Sequence, residues 1–303
     1  MVFKFLYRRQ FRKDLALFLM EDNLYVQSID DIERVLTFDS VIKFVKSNFA
    51  FFSESSSFIK LLRKYRGLLR AYRIYVDEDI FVTNGKVCGV FTSGCYSVNI
   101  FNGCKLTFVC KGNSTVNLSC CGDTSTQFLC FGSARVKVTL YEMSTLYGTL
   151  CECSSCTCST YGSAKASLVC FDRSTLSLSA FGHSSAALVV SDSVLATCSG
   201  TAYASVTFKS YCDSAIVLSG TRSATFKGEC FNSSMLRCTM CDTSAFTCSA
   251  HGSSVVRVGS VDPGRCDLTG YDSAVFLLPS DEVSPDLCDS SAMYVFKNVV
   301  VDR

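Results

Sequence analysis

Four acidic residues, Glu152, Asp172, Asp192 and Asp213, follow one another at intervals of about twenty residues. If each interval is one turn of a repeating structure, their carboxylates stack at one corner, about 4.8 Å apart. Stacked carboxylates repel, raise one another's pKa or recruit a hard divalent cation. The plainer reading is that Asp and Glu serve the turns and stay solvated and screened. A second group is CECSSCTCS, where Cys151, Cys153, Cys156 and Cys158 have C-x-C and C-x-x-C spacings. On a strand, Cys156 and Cys158 face one way and could converge on a soft metal. Structural zinc more often takes ligand pairs from separate turns, so buried packing competes with a metal here, as does a disulfide. The third group is KLLRKYRGLLRAYR, net +6 over residues 60–73. Its cations, Lys60, Arg63, Lys64, Arg66, Arg70 and Arg73, lie opposite an apolar helical face. They could meet an acidic protein, an anionic membrane or nucleic acid, or stay solvated while the helix docks.

Little else points to catalysis. There are two histidines, His183 and His251, neither with an evident nucleophile partner, and no G-x-S-x-G, Walker or H-E-x-x-H pattern occurs. The acids are dispersed rather than paired as a glycosidase needs. The sequence therefore predicts no enzyme activity and no cofactor.

Those groups must be positioned by two unlike regions. The chain has 303 residues and a net charge of +2, which argues against nucleic acid as a partner. Residues 1–80 carry 14 Lys/Arg and 11 Asp/Glu. Three helices are expected there: one capped at Ser28 with Ile29, Ile32, Val35 and Leu36; one starting at Asp39 or Ser40 with Val41, Ile42, Val45 and Phe49; and one capped at Ser55 to Ser57 and carrying the basic face. The N-terminal run LALFLM is too short for a signal peptide, and no run of about 18 apolar residues could span a membrane. Cytoplasmic synthesis with reduced thiols is the expectation for the 20 cysteines.

From Phe81 onward the pattern changes. Set out in tens from Asn113, the chain reads NSTVNLSCCG, DTSTQFLCFG, SARVKVTLYE, MSTLYGTLCE, CSSCTCSTYG, SAKASLVCFD, RSTLSLSAFG. Position two is small, positions four, six and eight are apolar, position nine is often aromatic, and position ten is Gly, Asp or Glu. Alternation of period two predicts strands, and positions nine and ten predict corners. Later units, such as DSVLATCSG and SAIVLSG, are read with slips of one residue. Two units make a coil of about 20 residues, and stacked coils form a β-solenoid. The fold expected is α+β: an N-terminal helical cap or docking domain, residues 1–80, followed by a single-chain β-solenoid, residues 81–303. Thr115, Asn117, Ser119, Ser155, Thr157, Ser159, Thr175, Ser177 and Ser179 would share one outer face. That face suggests ice binding until Arg135 and Lys137 interrupt it. The corner rings Phe131, Tyr141, Tyr161, Phe171 and Phe181 are read as tucked inward, sealing the core edge.

The units GSAKASLVCFD, RSTLSLSAFG and YDSAVFLLPS resemble the short Ser/Ala-rich repeats of phage tail and other virion-associated or prophage-borne proteins, over roughly residues 90–280. The resemblance implies a non-catalytic structural or host-surface-binding scaffold, with the virion as one destination. Its partner would be a protein or a second copy, engaged through the helical domain, with the solenoid face open to a glycan. The alternatives are a glycan- or cation-binding solenoid module and a solenoid carbohydrate-active enzyme.

Overall fold

The computed structural model describes residues 2–21, 37–260, 265–279 and 283–295. The helix expected at Ser28 to Leu36 lies outside them. Among the described residues five helices come first: α1 (Val2–Glu21), α2 (Phe38–Ser47), α3 (Phe49–Phe52), α4 (Ser56–Lys64) and α5 (Arg66–Arg70). Thr37 caps α2 by accepting from the Ser40 amide at 3.2 Å, and Val41, Ile42 and Val45 face inward as their spacing predicts. The basic helix is broken at Tyr65, so α4 and α5 are separate.

Among the described residues twenty-four strands follow, forming two parallel sheets of twelve, odd-numbered strands in one and even-numbered in the other. Each coil contributes one strand to each sheet, and the chain is a two-faced β-solenoid. At ~4.8 Å per strand, the rod is roughly 50 Å long. The first strand, β1 (Ile74–Val76), already pairs with β3 (Lys86–Phe91), so the solenoid begins ahead of the boundary read at residue 80. The twenty-residue register is strict through the centre: Thr175 pairs with Ser155 and with Leu195, and Leu195 with Ala215. The one-residue slips read into DSVLATCSG and SAIVLSG do not occur. Val194 fills a position usually held by Ser or Ala, so aligning on small residues displaced the reading. The last turn is shorter: Val275 pairs with Ala292 in the same chain.

The core follows from alternation. Val116, Leu118 and Cys120 point in, as do Leu176, Leu178 and Ala180 in their strand. Two sheets facing this way share one apolar interior, the dominant source of stability. Position two lies buried at the corner. There Ser144, Ser214 and Ser244 donate to the carbonyls of Tyr141, Tyr211 and Cys241 at 2.7–2.8 Å. Ser154, Ser174 and Ser234 make the same backbone turn, with their buried hydroxyls left without a hydrogen-bond partner among the described residues. Position ten has positive φ at corner after corner: Glu152 at 60°, Asp172 at 59°, Gly162 at 70°. An L-residue pays strain there, and Gly, Asn and Asp tolerate it best, which explains the sequence preference.

The helices lie against the outer face of the first coils rather than over the end strand alone. Ile74 and Val76 on β1, Cys88 and Val90 on β3, and Val109 on β5 (Lys105–Cys110) share a buried cluster with Phe11, Leu15, Phe49, Phe58 and Leu62. Asp77 is the polar anchor. It accepts from Arg63 Nε at 3.1 Å and Nη2 at 2.8 Å, and from the Thr92 amide at 2.7 Å. Nearby, Asp14 accepts from Lys64, Tyr65 and Gln10 at 2.6–2.9 Å. Burial raises the Asp14 pKa, but these three hydrogen bonds outweigh it and hold the group below its ordinary 3.8. The depressed value adds stability above pH 3.8 that is lost as pH falls through the folded-state value.

Candidate functional site

The acidic column forms in part, and its chemistry is structural. Glu152 Oε2 accepts from the Gly132 amide at 2.6 Å, Asp172 from the Glu152 amide at 2.8 Å, and Asp192 from the Asp172 amide at 3.5 Å. Each carboxylate therefore binds the corner one coil earlier. At these corners the position-nine amides of Phe131, Cys151 and Phe171 are taken by backbone carbonyls, as are the position-eleven amides of Ser133 and Arg173, and the position-ten amide is left for this side chain. The other corner column uses the same device where Asp242 accepts from the Arg222 amide at 3.0 Å. Asp213 stands one place along, with Cys212 holding the positive-φ position, and takes the Ser233 hydroxyl instead. Glu152, Asp172, Asp192 and Asp213 are thus each hydrogen-bonded to an adjoining coil. Among the described residues no three His, Cys, Asp or Glu side chains gather as a metal site.

We expect Asp172→Ala to lower stability by about 1 kcal/mol, through loss of a charged hydrogen bond and added αL strain. Asp172→Asn should lose less. Thermal melts of the three proteins compare these effects, and millimolar calcium should leave all three melting temperatures unchanged.

The cysteine group does not converge either. Cys156 and Cys158 point into the core, Cys151 is half-buried at the corner and Cys153 is exposed. The period-two alternation sends the first pair inward, while the corner leaves the second pair outside. Across the described chain, twelve thiols are buried and all twenty cysteines are free. Burial pushes Cys120, Cys158 and Cys170 up to about 12. Buried thiols are inert hydrophobes. Iodoacetamide at pH 8 should therefore modify Cys95, Cys153, Cys241 and Cys288 readily and spare the twelve buried thiols until the chain unfolds; intact mass counts the adducts. Raised thiol pKa values favour folding below about pH 9 and lose that contribution as pH rises toward 12, because the unfolded thiols ionise first.

The corner rings lie outside the core, against the inward sealing read from the sequence. Tyr141, Tyr161 and Phe181 stack face to face at 5.3 and 4.9 Å. Tyr211, Phe231, His251 and Tyr271 make a second ladder with spacings of 5.0, 4.9 and 4.6 Å. His183 stacks on Tyr203. Position nine precedes the turn, so its side chain leaves the pleat on the outer side and meets its counterpart one coil away. Ring faces engaged with one another are not open to a sugar.

The hydroxyl face is as expected. Thr115, Arg135, Ser155 and Thr175 stand in one column, and Asn117, Lys137, Thr157 and Ser177 in the next. The cations interrupt both columns.

Four of the six basic residues are engaged within the chain. Arg63 pairs with Asp77, Lys64 with Asp14 and Arg70 with Glu78, while Arg73 donates to the Asn84 carbonyl. Lys60 and Arg66 remain exposed. The polar face of this segment therefore anchors the helices to the rod. Spacing alone missed this, because Asp77 comes after the chain has turned into its first coil. A clearer signal was available in KVCGVF and KLTFVC, where apolar residues at outward positions break the alternation and mark a covered face.

No helix among the described residues is long and apolar enough to cross a membrane. Comparison with known proteins finds no family model, curated protein or solved structure that matches the chain.

Proposed function

We propose that the chain is a non-catalytic scaffold, a rod held at one end by a docked helical region and presenting its repeated faces to a partner. The observation that carries this reading is the role of its reactive groups. Carboxylates, imidazoles and rings along the corners bind the next coil, and most thiols fill the core. Such an arrangement favours stiffness along the rod over a convergent active site. The Ser/Ala-rich repeats resemble those of virion-associated and prophage-borne proteins, so a structural or host-surface-binding role on a phage particle is the form we favour. Density-gradient fractionation of particles from a producing culture should place the intact chain in the particle band. Its restriction to the soluble fraction would count against the particle role, and release of products from a polysaccharide panel would overturn the non-catalytic reading.

A further inference from the structure

On the outer face of the odd-stranded sheet, one column runs Gln127, Tyr147, Ser167, Ala187, Thr207. Tyr147 is 56% exposed and, unlike the stacked rings Tyr141, Tyr161 and Phe181, has no ring partner among the described residues. The next two positions, Ser167 and Ala187, are small. The surface therefore drops beside the ring into a hollow of about 250 Å³, also lined by Lys165, Ser185, Ser205 and Thr207. Lys165 lies on the strand next to that of Tyr147, two residues before Ser167, the cross-strand partner of Tyr147, and it also lines the hollow. It is exposed and has no ion-pair partner among the described residues. The other outward cation of this stretch, Lys209, is paired with Glu229 at 2.9 Å. From Thr145 to Thr207, no outward strand position of this sheet holds a carboxylate. The hollow thus combines an aromatic ring with room beside it, a ring of hydroxyls and one uncompensated positive charge.

We infer that this hollow binds a pyranose ring bearing a carboxylate, such as a uronate or sialoside residue of a surface glycan. The sugar's C–H face packs on Tyr147, its carboxylate meets Lys165, and its hydroxyls reach Ser185, Ser205 and Thr207. An aromatic platform with a few placed polar groups is how shallow sites select small polar ligands. The inference rests on the surface-binding form of the scaffold reading and names its ligand class.

The test is saturation-transfer NMR on the full chain with methyl glucuronide, a methyl sialoside and neutral methyl glucoside as probes. At least one acidic glycoside should receive saturation. Tyr147→Ala should weaken its binding at least tenfold, and Ala187→Phe, which fills the hollow and keeps Tyr147, should do the same. Both sites are exposed on a strand, and unchanged thermal melts confirm folding. Lys165→Gln should remove the preference for acidic over neutral sugar. No saturation from any acidic probe would overturn the inference. So would binding that survives both Tyr147→Ala and Ala187→Phe, or an acid preference unchanged in Lys165→Gln. None of these outcomes bears on the scaffold itself, which particle fractionation and product release test separately.

Discussion

Phe226→Ala is expected to cost about 3–5 kcal/mol, the largest effect of any single change considered for this rod. The ring is 1% exposed and sits where two glycines make way for it. A Cβ at Gly200 would come within 2.8 Å of the ring, and one at Gly220 within 2.9 Å. Real Cβ atoms do not approach that closely, so the glycines and the phenylalanine share one volume across three coils. Truncating the ring leaves a cavity that stacked strands cannot close, because each strand is held in register on both sides. Urea denaturation should show the loss as a lower midpoint. A solenoid's stability is close to a sum of coil terms and neighbour interfaces, so the middle of the rod should open before its ends. Combining Phe226→Leu with Gly200→Ala should be milder than adding the two single effects, since each relieves the other's misfit. By contrast, Phe81→Ala removes a ring that is 71% exposed and should change the midpoint little.

Asp77→Ala should release the helices from the rod. Its carboxylate joins three groups from two segments: the Arg63 guanidinium, and the amide and hydroxyl of Thr92. Removing it leaves that amide without its acceptor and the cation without its partner. The Arg63 side chain is 48% exposed, so water compensates part of the loss, and a cost of roughly 1–2 kcal/mol is expected. That is about a tenfold rise in the open population, read as faster trypsin cleavage among Lys60, Arg63, Lys64 and Arg66. Asp77→Asn retains an acceptor and the tolerance for φ of 48°, and should fall between the two. The solenoid's own melt should be nearly unchanged in both variants, which separates undocking from unfolding.

The two effects also show what the residues disclose unaided. Inward positions such as Val116, Leu118 and Cys120 were legible because a strand buries every second side chain, and corners were legible because positive φ selects Gly, Asp and Asn. The side of the corner taken by Tyr161 or His251 was not, since an aromatic at a turn can seal a core or stack outside with equal chemical sense. The carboxylate ladder was visible as a spacing, but its acceptor role depends on which amides the coils leave unpaired. Arg63 and Asp77 could not be matched from sequence, because their meeting depends on how the fifth helix enters the first coil. The hollow beside Tyr147 was hidden for a similar reason. Ser167 and Ala187 are unremarkable as letters, and they become a floor only once twenty-residue stacking sets them next to a ring.

The direct test of that stacking is a set of distances along one column. Spin labels carried on a ketone-bearing unnatural amino acid, which leaves the cysteines untouched, can be placed at Ser125 together with Ser185, Ser205, Thr225 or Ala245 in turn. Electron double resonance should give separations that grow by about 4.8 Å for each added twenty residues, near 14, 19, 24 and 29 Å before the label arms are added. Separations that fail to rise linearly with coil number, as two opposed antiparallel sheets would produce, would contradict the solenoid and every surface assigned to it.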